Sequence, residues 1–235
     1  MFKSLLSKLY MMRVYSMSIR QIHWTKIYPI FTKAYKFGHL SLSQMNRLLF
    51  MSIKKNELSM SEKIIHSIEA IEAKNEKQIR ERRNAQVYKA LWLWKLDDIQ
   101  ASWAILKDLH NQGFRNTVFY GCLGFIASLA LKKEEALVIC QEAYDYDHTD
   151  SVILDNLGSI LIDLGRTVEA SEIYGQLISS NPQFVEAWYN YGRLLLVQDK
   201  SDEAKEAVYK AKTFELTGVT TIKASDLEEL EKKVG

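Results

Sequence analysis

The chain is 235 residues long, 47% hydrophobic and 26% charged, with 2 prolines and a net charge of +2. That composition describes a soluble all-helical protein large enough for a continuous core, and the lack of βαβ alternation and of strand-turn signals argues against a mixed fold. The charge is uneven: residues 1–56 hold ten basic residues and no acidic one, whereas residues 117–218 hold 8 basic and 16 acidic.

In chain order, residues 1–19 come first, apolar but interrupted by Lys3, Lys8 and Arg13 so evenly that no uncharged span of 18 residues exists. This argues against a membrane-spanning helix or a cleavable signal. At 100° per residue the three charges point in three directions, so the stretch does not read as an amphipathic anchor. It reads as a leader whose helix caps the stack and whose deletion leaves the repeats intact. The alternatives are contact with an anionic membrane surface, a nucleic-acid contact and an organellar transit peptide.

Residues 20–82 read as divergent repeat-like helices. Pro29 to Phe37, with Phe31 and Ala34 and closed by Gly38, has the form of a second helix. Leu42 to Lys55 (Met45, Leu48, Leu49) and Met60 to Ile79 (Ile64, Ile65, Ile68, Ile71) carry helical apolar spacing. Residues 83–116 form a degenerate repeat with helices near Asn84–Leu96 and Asp98–Asn111, ended by Gly113. Its Ala90 lies 34 residues before Gly124, and its Ala101 lies 35 before Ala136.

Residues 117–150, 151–184 and 185–218 then write one helix-turn-helix pattern three times. Gly124, Gly158 and Gly192 stand at repeat position 8, and Ala136, Ala170 and Ala204 at position 20. Large residues fill position 4 (Tyr120, Leu154, Trp188) and position 24 (Cys140, Tyr174, Val208). Positions 4, 7, 8 and 11 share one helical face, and positions 20, 24 and 27 share another. Glycine in a helix costs about 1 kcal/mol relative to alanine, so three at a fixed period imply close helix packing. Gly165 is placed to end its helix in the left-handed conformation and Ser201 to cap the next. Asn116 to Leu131 is uncharged over 16 residues but in phase with a first helix, and so reads as buried rather than membrane-bound. Residues 219–235 supply a charged capping helix, Thr221 to Val234, with Ser225 and Glu228 in capping-box spacing.

This pattern resembles the tetratricopeptide repeat, most closely in Trp188-Tyr189-Asn190-Tyr191-Gly192 with Ala204 and Ala211, and in Leu157-Gly158, Ala170, Tyr174 and Pro182. The resemblance implies an all-α, right-handed α-solenoid of stacked helix-turn-helix repeats, acting as a non-catalytic protein-protein interaction scaffold. It also implies that the first helix of each pair lines a concave groove, into which positions 2, 5, 6, 9, 12 and 13 project. The groove residues singled out are Phe125, Asp155, Asn156, Ser159, Tyr189, Asn190 and Arg193. Asn156 and Asn190 hold position 6, where asparagine in peptide-binding members of the family engages the peptide main chain; the other reading is that they pair with neighbouring side chains. Members that grip an acidic chaperone tail carry cations at positions 2, 5 and 6. Here Asp155, Asp163 and Glu186 repel such a tail, so the expected protein or peptide partner is neutral, apolar or basic.

No phosphate loop, metal-ligand motif or nucleophile elbow occurs, so neither an enzyme nor a cofactor is expected. His66 and Glu69, one turn apart, read as a solvated pair, and His23, His39, His110 and His148 stand in no cluster. Cys122 and Cys140 read as buried thiols in a reducing compartment. The expected location is cytoplasmic, with nucleic acid an unlikely partner. The rival reading is a membrane-surface accessory protein docking through the basic N-terminal segment.

Overall fold

The structure, a computed structural model, describes residues 2–38 and 40–235; Met1 and His39 lie outside the described residues. Thirteen helices and no strand occur among the described residues. The chain divides into two units, Met1–Leu96 and Asp97–Gly235.

In the first unit, α1 (Phe2–Ile19) pairs with α2 (Trp24–Lys36). The Ser7 hydroxyl donates to the carbonyl of Ala34 at 3.0 Å, Val14 is buried, and Tyr10 stacks on Phe37 with ring centroids 5.7 Å apart. Residues 2–19 are thus helical throughout and packed along one side. The second helix begins at Trp24, five residues before the expected Pro29, which sits inside it on the exposed side. Proline removes one backbone donor there, and burial of Ile27, Tyr28, Phe31 and Ala34 on the opposite face holds the helix together.

Next comes α3 (Leu42–Lys54), whose N-terminus is closed by a capping box between Ser41 and Gln44. It packs on α4 (Leu58–Glu69), where the buried hydroxyls of Ser52 and Ser61 meet at 2.8 Å. The helix expected over Met60–Ile79 is broken: α4 ends at Glu69, and Ile79 belongs to α5 (Glu76–Lys95). Asn75 explains the break, because its side chain accepts from the Gln78 N–H and caps α5. The stretch read as a degenerate repeat, residues 83–116, contributes most of α5 to the first unit and α6 (Ile99–Asn111) to the second.

Three helix pairs follow in the second unit: α7 (Thr117–Ala130) with α8 (Lys133–Tyr146), α9 (Ser151–Asp163) with α10 (Thr167–Ser179), and α11 (Val185–Val197) with α12 (Ser201–Ala211). Ala136, Ala170 and Ala204 are completely buried, as their spacing predicts. Each position-8 glycine meets the position-24 side chain of its own pair. A Cβ built on Gly124 would lie 3.4 Å from Cys140 Sγ, and one on Gly192 3.3 Å from a Val208 methyl. The glycines therefore make room for a side chain of the facing helix, and at Gly192 the partner's backbone, the Ala204 carbonyl, also comes within 3.6 Å. Positions 3 and 10, which the periodicity left unassigned, are buried too (Phe119 and Ile126, Ile153 and Ile160, Ala187 and Leu194), because the first helices pack on one another.

Four of the turns within pairs share one construction, while that between α7 and α8 passes through Leu131 in an extended conformation. Gln21, Asn56, Gly165 and Asp199 all have positive φ, and the next amide reaches back to a carbonyl five residues earlier, as from Arg166 to Leu161 and from Lys200 to Leu195. Ser201 is the first residue of α12 rather than its cap, since Lys200 precedes it without a side-chain bond. The last helix, α13 (Ala224–Val234), lays Leu227, Leu230 and Val234 on the preceding pair. Asp226, not Glu228, closes its start by accepting from the Lys223 N–H at 2.8 Å. No helix of the described residues is long and apolar enough to cross a membrane.

Candidate functional site

The residues expected to line a groove lie on α7, α9 and α11, the first helices of the three pairs, which pack side by side. Two features of the sequence fix their placement: position 8 turns the glycine face toward the second helix, and positions 6 and 9 then turn away from it, with position 5 at the edge between. Position 6 of each repeat lies against position 5 of the repeat before it. The Asn156 amide donates to the Gly121 carbonyl at 2.8 Å, and the Asn190 amide donates to the Asp155 carboxylate at 3.2 and 3.4 Å. The Asn190 amide is thus engaged by a neighbouring side chain, whereas the Asn156 amide is engaged by a main-chain carbonyl.

Asp155 is the centre of a buried network. Besides Asn190 it accepts from the Tyr174 hydroxyl at 2.9 Å, and Asn190 in turn accepts from Arg193 at 3.0 Å. Arg193 closes the chain on Asp163 at 2.6 Å. Burial pushes the Asp155 carboxyl up to about 7, helped by the nearby Glu186 charge and opposed by the bonds from Asn190 and Tyr174 and by the Arg193 charge. Of the seven residues singled out, the structure joins Asp155, Asn190 and Arg193 directly and leaves Phe125, Asn156, Ser159 and Tyr189 half-buried along the same helices. Tyr174 was legible only as a core residue. Its polar role follows from its place over Gly158, which lets the hydroxyl reach Asp155 one turn away on α9.

The face also carries exposed apolar side chains. Val118 and Val152 occupy position 2 of successive repeats and are exposed, as are Leu129 and Val197 at position 13. Exposed Asp163 and half-buried Glu186 add negative charge. Both cysteines are free, and burial pushes their thiols up to about 12, which holds them in the unreactive protonated form. Among the described residues no group of three or more His, Cys, Asp or Glu is placed to hold a metal ion.

Two tetratricopeptide repeat profiles match the sequence, one over residues 153–184 and one over 173–206. The first coincides with the α9–α10 repeat and the second runs from α10 into α12. No curated protein matches the sequence. Among solved structures, a tetratricopeptide repeat protein from Parabacteroides merdae has a TM-score of 0.66 at 12% identity, over 99% of this chain and 84% of that one. PilF of Pseudomonas aeruginosa has a TM-score of 0.63 at 11% identity, over 99% and 100% of the two chains. YrrB, described as a tetratricopeptide repeat protein with an unusual peptide-binding site, has a TM-score of 0.51 at 16% identity, over 86% and 97%. At these identities the likeness is one of fold. A 34-residue helix pair that recurs with its internal packing intact, and that two profiles of one family recognise, makes this chain a tetratricopeptide repeat protein.

Proposed function

We propose that the second unit binds a short peptide or helix of a protein partner across α7, α9 and α11, acting as a non-catalytic scaffold. The observation that carries this reading is the division of labour on that face. Asp155, Asn156, Asn190 and Arg193 are spent on joining repeats, and the exposed positions include the apolar Val118, Leu129, Val152 and Val197 beside half-buried Phe125. A Cβ on Gly121 would lie 3.3 Å from a Val152 methyl, so Val152 sits over the preceding repeat and continues its row. Exposed apolar rows of this kind are where binding energy comes from.

Asp163 and Glu186 set the preference for a neutral, apolar or basic segment over an acidic one. Asn156, Ser159 and Tyr189 are the polar groups within reach of such a segment, and Arg193, already paired with Asp163, holds the wall beside it. The shared fold of YrrB supports the same class of function. The test is selection of peptides on the intact protein from a random library, followed by titration of the selected peptides against Val118→Glu/Val152→Glu. A loss of about tenfold or more in affinity is expected for removing two apolar contacts. Peptides that bind the double variant as tightly as the wild type place the binding surface elsewhere.

A further inference from the structure

The pairing of α1 with α2 through Ser7, Tyr10 and Val14 decides which side of α1 looks outward. On that side Leu5, Leu9, Met12 and Ile19 are all more than half exposed, Met12 at 69%. Their spacing places them in one stripe along the helix, about 21 Å long at 1.5 Å per residue. Tyr15, also exposed, lies beside it. Scattered apolar side chains on a surface are ordinary, whereas a row interrupted only by exposed Ser16 marks an interaction site.

The charges around the row are of one sign. At 100° per residue Lys8 falls on one flank and Arg13 on the other, both exposed. Lys3 and Arg20 stand near the two ends, and α2 adds exposed Lys26, Lys33 and Lys36. No acidic residue occurs before Glu57 to neutralise them.

We propose that the outer face of α1 docks the protein on an anionic lipid surface, with the helix lying in the plane of the membrane. Leu5, Leu9, Met12 and Ile19 enter the boundary between headgroups and acyl chains, and Lys8 and Arg13 extend from the two edges to lipid phosphates. The combination of features selects this occupant. A second copy of the chain would bring the same cations against one another. A nucleic acid would satisfy the cations and leave the aliphatic row in water. Insertion across the bilayer is excluded because α1 is not apolar enough to span it. This surface belongs to the first unit and is independent of peptide binding by the second, so the failure of either reading leaves the other standing.

Sedimentation of the full chain with vesicles tests the proposal, using phosphatidylcholine alone and an equal mixture with phosphatidylglycerol. Binding is expected to the anionic vesicles only and to weaken as salt is added. Lys8→Gln/Arg13→Gln should weaken it about tenfold or more, at roughly fivefold for each cation removed near the surface. Leu9→Glu/Met12→Glu should abolish it. Both double variants change exposed positions, so circular dichroism and the melting midpoint should match the wild type. The proposal is overturned if the wild type does not bind the anionic vesicles, or if Leu9→Glu/Met12→Glu binds them undiminished. It is equally overturned if light scattering finds a wild-type dimer that the same variant converts to a monomer, which would make a second copy the occupant.

Discussion

Tyr174 occupies the space that a side chain at residue 158 would need: a Cβ on Gly158 would come within 2.5 Å of its Cε2 and 3.0 Å of two further ring atoms. The ring is buried and bonded through its hydroxyl to Asp155, so it cannot swing aside. Gly158→Leu is therefore expected to destabilise the protein by about 1–3 kcal/mol, read as a melting midpoint lowered by roughly 2–4 °C per kcal/mol. Gly175, one residue along from Tyr174, supplies the control. Nothing lies within 4 Å of a Cβ there, so Gly175→Ala should raise stability by about 0.5–1 kcal/mol.

The asparagines of α9 and α11 are expected to matter for stability as well as for any ligand. Asn190→Ala strips the buried Asp155 of a donor and leaves Arg193 with Asp163 as its remaining acceptor. A loss of about 1–3 kcal/mol follows for a buried group left unsatisfied. Asn156→Ala, at a half-buried position where only the Gly121 carbonyl loses a partner, should cost about 1 kcal/mol or less. Equal and negligible losses in urea denaturation of the two variants would contradict the buried network.

How much of this was legible beforehand differs between the two units. Glycine and alanine recurring together at a 34-residue period report on helix packing, which an isolated glycine such as Gly175 does not, and α7 to α12 lie where that period puts them. Before residue 83 the period is lost and only apolar spacing remained, so Ile71 and Ile79 extended α4 past its true end at Glu69. The cap at Asn75 was the overlooked signal. The interior of the site was hidden for a different reason: Asp155 and Asn190 are 35 residues apart, and their bond depends on how successive first helices stack. A position count along one helix carries no such information.

The raised pKa of Asp155 has a definite sign. Its ordinary value is 3.8, and burial lifts it to about 7 in the folded protein, so the native state holds a proton that the unfolded chain releases. The stabilisation from that proton is complete below about pH 4 and is lost as pH rises through about 7. Over some three pH units this amounts to at most about 4 kcal/mol. Chemical denaturation from pH 4 to 8 should show wild type losing stability relative to Asp155→Asn, which still offers an oxygen to Tyr174 and carries no charge. Parallel pH profiles of the two proteins would show that Asp155 is not the group responsible.

Removal of residues 1–19 is expected to act locally. Phe31 and Ala34 of α2 are fully buried in the intact protein, and the Ala34 carbonyl accepts the Ser7 hydroxyl. Without α1 that face is bare, and α2, with 13 residues and an internal proline, is held by α3 and by the bonds of Tyr28 to Glu57 and of Tyr35 to Ser67, too little to keep its amides protected. Hydrogen exchange of the truncated protein should show α2 unprotected and α7 to α12 unchanged. Protection retained in α2 would mean that its fold does not depend on α1.

The reach of Asn190 back to Asp155 gives the array a direction of growth. Residues 151–184 carry both halves of the joint, an acceptor in Asp155 for the repeat that follows and a donor in Asn156 for the repeat before. A tandem copy of these residues inserted after Phe184 would set its own asparagine on the existing aspartate and offer a fresh aspartate to Asn190. The molecule can in this way be lengthened by duplication of a single 34-residue segment, every new seam arriving already bonded.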